Sequence, residues 1–313
     1  MNQNLKRVII IGAGAVGGSI AGLLATSGYP IELVARGEHG KKIRAEGLTV
    51  RQPNRTTTSQ LKCYEQIKDI QWRDDDVTIV ATKLNDACNI YDQLLEQAGP
   101  TLPVICASNG IQGEAWATER FQTVLSMMIW MPSTHLCPGD VRLFSGDCPG
   151  VLDLGPIKGD EELVLSNSLT NWLRKASFDS VSRPDIKRWK YAKWITNLGN
   201  AAQALVVDDW KSVAEAARAE GELVLDAYKT DRISTDELLK RTAHIQLRQI
   251  GEEARLGGST WQSRQRGTPL ESCWIEGQMA DLADEVGVPA PINRFLTSIS
   301  ENPRDVFARE LLG

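Results

Sequence analysis

The sequence predicts an α/β protein: a doubly wound parallel sheet followed by an all-helical domain. Three observations carry this expectation. Short β-rich runs alternate with helical patterns through the first half, as in a parallel sheet wrapped by helices. The run Val8-Ile9-Ile10-Ile11 is apolar at every position, as a strand buried on both faces must be, and it leads straight into a glycine-rich turn. From about Pro184 onward, long helical patterns replace the alternation. A chain of 313 residues is long for one core and fits about two domains.

Taken in order, residues 8–11 form the first strand and residues 15–27 carry small and apolar side chains at helical spacing. Residues 31–35, 77–81 and 104–107 read as further strands of the same sheet. Residues 121–154 form a strand-and-turn region punctuated by Pro132, Pro138, Gly139, Gly146, Pro149 and Gly150. Helices are expected over 185–205, 208–228, 234–254, 269–286 and 291–312, with breaks at Gly257-Gly258 and at Gly287-Val288-Pro289-Ala290-Pro291. This places the domains at 1–183 and 184–313.

Composition narrows the function classes. The net charge is −5 and the basic residues are scattered among carboxylates, which argues against a nucleic-acid surface. No apolar stretch reaches about 18 residues, so no membrane span is expected. A cleaved leader in the first residues would remove the first strand, so a cytoplasmic location is expected. The six cysteines form no C-x-x-C pair and the three histidines are dispersed, so neither disulfides nor a metal site is expected. Nine tryptophans leave room for a helical interface between two copies, which permits a homodimer.

The glycine turn reads Gly12-Ala13-Gly14-Ala15-Val16-Gly17, between a strand and a helix, the context in which this pattern binds a dinucleotide. Gly12 serves the tight turn, Gly14 lets the backbone approach the pyrophosphate, and Gly17 lets helix and strand pack closely. Ala15 and Val16 open the helix, whose free N–H groups face the phosphates. The domain is therefore read as Rossmann-type. The second strand ends Val34-Ala35-Arg36 with no carboxylate to take a ribose 2′-hydroxyl, and Glu32 lies too far back. Arg36, helped by Lys41 or Lys42, could instead pair with a 2′-phosphate, which favours NADPH.

In the helix expected over 185–205, Lys193, Asn197 and Asn200 fall at i, i+4 and i+7 amid apolar neighbours. Polar groups on a largely buried helix need partners or a ligand; a lone surface lysine is the plain alternative. Glu271 has two readings. Thr268-Pro269-Leu270-Glu271 has the spacing of a capping box, and a carboxylate there could also serve chemistry.

Over nearly its whole length the chain resembles the ketopantoate reductase (2-dehydropantoate 2-reductase) family. The marks are the glycine turn, Ala35-Arg36-Gly37, Glu46-Gly47-Leu48, Thr82-Lys83, Ser108-Asn109-Gly110, Lys193 with Asn197, Ser259-Thr260-Trp261-Gln262, Glu271 with Gly277, and Gly287-Val288-Pro289-Ala290-Pro291. The resemblance implies that Lys193 is the general acid and that Glu271 works with it and holds the substrate. It implies that Lys83 and Asn109 contact cofactor and substrate, and that Asn197 and Ser259 contact substrate; Asn200 is a further candidate on the lysine stripe. The implied reaction is NADPH-dependent reduction of a 2-oxo acid, by default 2-dehydropantoate to pantoate. The chain departs from the family pattern at Cys273, where an acidic residue is usual, and at Ala201, where the second asparagine is usual. Met127-Met128-Ile129-Trp130-Met131 is also bulkier than expected. These departures suggest a paralogue acting on a larger or more apolar carbonyl or imine acid. A non-catalytic NADPH-binding sensor is the remaining alternative, disfavoured because a sensor needs no proton donor.

Overall fold

The computed structural model describes residues 5–159 and 162–312, and contacts divide the chain into two units. The first comprises Met1–Ser108, Gln112–Lys187 and Arg241–Arg255; the second comprises Asn109–Ile111, Arg188–Lys240 and Leu256–Gly313.

The first unit opens with β1 (Arg7–Ile11), α1 (Ala15–Thr26), β2 (Ile31–Val34), α2 (Gly37–Glu46), β3 (Leu48–Gln52), β4 (Arg55–Ser59) and β5 (Lys62–Tyr64). It continues through β6 (Asp76–Val80), α3 (Leu84–Ala98), β7 (Val104–Cys106), α4 (Gln112–Arg120), β8 (Val124–Trp130), β9 (Ser133–Thr134), β10 (Asp140–Leu143), β11 (Val151–Pro156) and α5 (Leu163–Lys175). Its main sheet has the order β11-β8-β7-β6-β1-β2-β5, parallel except where β11 runs against β8. The chain first builds outward from β1 through β2, then returns to the other side of β1 with β6. That reversal is a topological switch point, where open α/β sheets bind ligands. The central strand is wholly buried, as its unbroken apolar run predicts.

Glu32 points away from any nucleotide role. Its carboxylate accepts from Arg7 Nη1 at 3.0 Å and from the Tyr64 hydroxyl at 2.7 Å, pairing β2 with its neighbours. A second sheet, β4-β3-β10-β9, is an addition the sequence reading did not contain. Met127 and Met128 are fully buried in β8, so their bulk packs the sheet rather than shaping a substrate site. This corrects the substrate inference drawn from them.

The second unit holds most of α6 (Ile186–Asn197), then α7 (Asn200–Leu205), α8 (Trp210–Ala227), most of α9 (Thr235–Thr242), α10 (Ser259–Gln265), α11 (Gln278–Val286), α12 (Pro291–Glu301) and α13 (Arg309–Leu312). Trp194, Leu198, Leu205, Val213, Ile275, Met279 and Leu296 form the heart of its core.

Four expected helices have different bounds. The 185–205 pattern breaks after Asn197, and α7 restarts beyond Gly199. The 234–254 pattern stops at Thr242; the residues that follow turn back onto the first unit, where the Arg248 N–H donates to the Phe144 carbonyl at 2.8 Å. The last pattern divides at Asn302, as the residue before Pro303 is disfavoured in helical conformation. The 269–286 pattern begins late, with a π-helical turn over Cys273–Gly277 capped at Ser272. Thr268 is therefore not a helix N-cap: its hydroxyl donates to the Ser263 carbonyl at 3.2 Å, closing the end of α10. Glu271 precedes the helix, and the capping-box reading is withdrawn.

Candidate active site

In the first unit, the chain after β1 turns at Gly12, whose φ of +99° lies in the region that favours glycine. A Cβ on Gly17 would sit 1.9 Å from the Gly12 carbonyl oxygen and 2.9 Å from the Ala81 Cβ, so only glycine permits this approach of α1 to β1 and β6. Gly14 differs. Its φ is −65°, and an added Cβ would meet nothing within 4 Å. No protein contact demands glycine there, so the space above it can receive a ligand backbone-close. Ala15 and Val16 begin α1, where the first N–H groups lack intrahelical partners and no side chain among the described residues caps them. Alongside, the buried Thr82 hydroxyl has no hydrogen-bond partner among the described residues. These features fit the pyrophosphate of a dinucleotide. Lys83 caps α3 at the end of the β6 connection. Arg36 caps α2 and extends to Asp86 on α3, with Nη2 to Oδ2 at 2.8 Å. The Arg36 and Asp86 side chains are both exposed, and Lys83 is half-buried.

In the second unit, Lys193 Nζ donates to Asn197 Oδ1 at 2.6 Å and to Thr196 Oγ1 at 3.2 Å. The Asn197 amide nitrogen donates to Asn109 Oδ1 at 3.1 Å. The structure thus joins three of the sequence-derived residues in one hydrogen-bonded chain, from half-buried Lys193 through buried Asn197 to Asn109. Asn200 is not on that stripe, because the turn at Gly199 separates the two helices. Its Oδ1 lies instead 3.7 Å from where a Cβ on Gly258 would stand, next to Ser259 at the start of α10. Glu271 is buried at the entrance to the π turn.

One group escaped the sequence reading. Glu276 is 1% exposed, accepts the Ala201 N–H at 3.1 Å, and has a pKa pushed up to about 8, above all by burial. Its only sequence signal is a carboxylate in the stretch Trp274 to Ala280, where Gln278 is the one other polar side chain able to hydrogen-bond strongly.

A glycine turn at the switch point of a parallel sheet places the first unit in the dinucleotide-binding class of doubly wound folds. The profile described as ketopantoate reductase PanE/ApbA matches residues 8–159, and that described as its C-terminal part matches residues 185–303. The chain belongs to the ketopantoate reductase family and is an oxidoreductase of that family. It is 27% identical to a 2-dehydropantoate 2-reductase of Archaeoglobus fulgidus, over 95% of this chain and 97% of the relative. The corresponding protein of Pyrococcus horikoshii is also 27% identical, over 98% of each chain. A PanE/ApbA family ketopantoate reductase from Ralstonia eutropha superposes with a TM-score of 0.77 at 20% identity, over 95% of this chain and 97% of the other. D-mandelate dehydrogenase with NADH and anilino(oxo)acetate gives a TM-score of 0.77 at 19% identity, with the same coverage. Among the described residues, no helix is long and apolar enough to cross a membrane.

Proposed function

We propose that this chain reduces a 2-oxo acid to a 2-hydroxy acid with NADPH, with 2-dehydropantoate as the default substrate. Residues 1–183 would hold the cofactor and residues 184–313 would supply the proton donor. The observation that carries the reading is the chain Lys193–Asn197–Asn109. Gly12, Gly14, Ala15, Val16 and Gly17 would hold a nicotinamide dinucleotide, which would supply the hydride. Arg36 and Lys83 serve its phosphate and nicotinamide ends.

Reduction of a 2-oxo carbon leaves negative charge on its oxygen. The Lys193 ammonium, aimed by Asn197 Oδ1 and Thr196 Oγ1, stabilises that charge and then donates the proton. Asn197 accepts from the lysine and donates to Asn109, so its amide orientation is fixed and the ammonium is held at one end of a rigid relay. Asn109, Asn197, Asn200, Ser259 and Glu271 would orient the substrate, with Glu271 working alongside Lys193. Lys193→Ala should lower kcat by about 10²–10⁴ while leaving Tm and NADPH affinity near native. Steady-state kinetics with 2-dehydropantoate, a thermal scan and a fluorescence titration check this, and an active alanine variant would remove the mechanism.

A second reading keeps the chemistry and changes the ligands: a larger, more apolar 2-oxo acid reduced with NADH. It is favoured by the Arg36–Asp86 pair, by Cys273 and Ala201 at positions usually polar in the family, and by the likeness to D-mandelate dehydrogenase with NADH. Rates with both dinucleotides across a panel of aliphatic and aromatic 2-oxo acids separate the two readings. A homodimer goes with either, since a structural relative is described as a dimeric ketopantoate reductase from Staphylococcus aureus. Light scattering measures it.

A further inference from the structure

We infer that His39 is a positioning residue for the dinucleotide, locking the peptide of the glycine turn through a hydrogen-bonded bridge to the second sheet; this rests on the cofactor reading above. His39 lies in the first turn of α2, three residues after Arg36. Its Nε2 is 2.8 Å from the carbonyl oxygen of Ala13, in the middle of the glycine turn. Its Nδ1 is 2.7 Å from the backbone N–H of Gly139, just before β10. The N–H can only donate, so Nδ1 is the acceptor and Nε2 carries the proton toward Ala13. One neutral tautomer satisfies both bonds.

The bridge continues on the far side. The Gly139 carbonyl accepts from the Thr49 N–H of β3 at 2.9 Å, and Gly139 has a φ of +75°. A Cβ there would approach Lys42 Cγ of α2 to 2.8 Å, so the turn is pressed against the helix that carries His39. The His135 ring stands tilted over His39 with centroids 4.0 Å apart, and His135 Nδ1 lies 3.1 Å from the Asp140 carbonyl. Both sides of His39 are therefore anchored in secondary structure.

The consequence for the turn follows from peptide geometry. The Ala13–Gly14 peptide is trans and planar, so its carbonyl and the Gly14 N–H point in opposite directions. Holding the Ala13 carbonyl on His39 turns the Gly14 N–H to the opposite side and steadies the start of α1, whose N–H groups would receive the pyrophosphate. A free turn would have to be ordered on binding, at a cost in affinity.

Two variants divide the roles of the ring and the bonds. His39→Phe keeps the stacked ring and loses both hydrogen bonds, whereas His39→Gln keeps one acceptor and one donor and loses the ring. Fluorescence titrations of the full chain with NADPH and with NADH read the dissociation constants, with Tm followed in parallel. The expected result is a Kd raised about tenfold in His39→Phe, with substantial recovery in His39→Gln at comparable Tm. Native-like affinity in the phenylalanine variant overturns the inference and leaves the cofactor reading intact. Failure of the native chain to bind either dinucleotide overturns both. Should His39→Phe not fold, the glutamine variant decides: near-native affinity supports the bridge, and lost affinity at native Tm overturns it.

Discussion

At residue scale, the proposed choice between NADPH and NADH turns on Arg36 and the carboxylate it meets. Arg36 has the place and the planar fork to hold a 2′-phosphate, yet its Nη2 is 2.8 Å from Asp86. An exposed pair of this kind is worth only about 0–1 kcal/mol, so a phosphate can displace it. Asp86 nonetheless leaves negative charge where the phosphate would sit. Asp86→Asn should therefore raise the preference for NADPH over NADH, by about three- to tenfold, while Arg36→Ala should weaken NADPH far more than NADH. The ratio of kcat/KM for the two dinucleotides measures both. Arg36 as a candidate was legible in the sequence because a strand tip without a carboxylate is a local pattern. Asp86 was not, because 50 residues separate the partners.

At element scale, one buried acid receives a backbone N–H at the start of α7. Glu276 accepts the Ala201 N–H from within the π turn, in a setting that pushes its pKa up to about 8. The unfolded chain releases that proton near the ordinary glutamate value of about 4.3. Between these values the folded state holds more protons than the unfolded state, so stability falls as pH rises and levels off above about 8. Glu276→Gln keeps an acceptor for Ala201 and removes the titration. Its Tm should match the native protein near pH 4.5 and exceed it by on the order of 5 °C at pH 8. Thermal scans across that range test the sign as well as the size. The same region shows why a capping box could be misread: Thr268 and Glu271 have the spacing, but Thr268 is used to close α10.

At the scale of the whole molecule, the path of the chain is not the order of its domains. Residues Arg241–Arg255 return to the first unit after much of the second has been built. Arg241 fastens them, with Nε and Nη2 to the Asp153 carboxylate at 3.0 and 2.8 Å and Nη2 to Asp179 at 2.8 Å. Asp153 is fully buried in β11 and also takes Arg183 Nε at 2.6 Å. Removing one partner from a buried charge costs about 3 kcal/mol. Arg241→Met should lower Tm and strip hydrogen-exchange protection from residues 243–255, leaving the β1 and β6 amides protected. Retained protection in that segment would show that its backbone contacts alone suffice.

The sequence by itself determined the central strands, the glycine turn, the change from alternating to helical architecture, and the lysine with its asparagine one turn on. Each is written in neighbouring residues, because strand burial, turn geometry and helical periodicity are local properties. Tertiary structure decided what depends on distant partners. It set where the helices over 185–205 and 234–254 stop, joined Asn109 to Asn197 across 88 residues, buried Glu276, and bridged Ala13 to Gly139 through His39. Hydrogen bonds and burial across such separations follow from packing, and local pattern carries no trace of them.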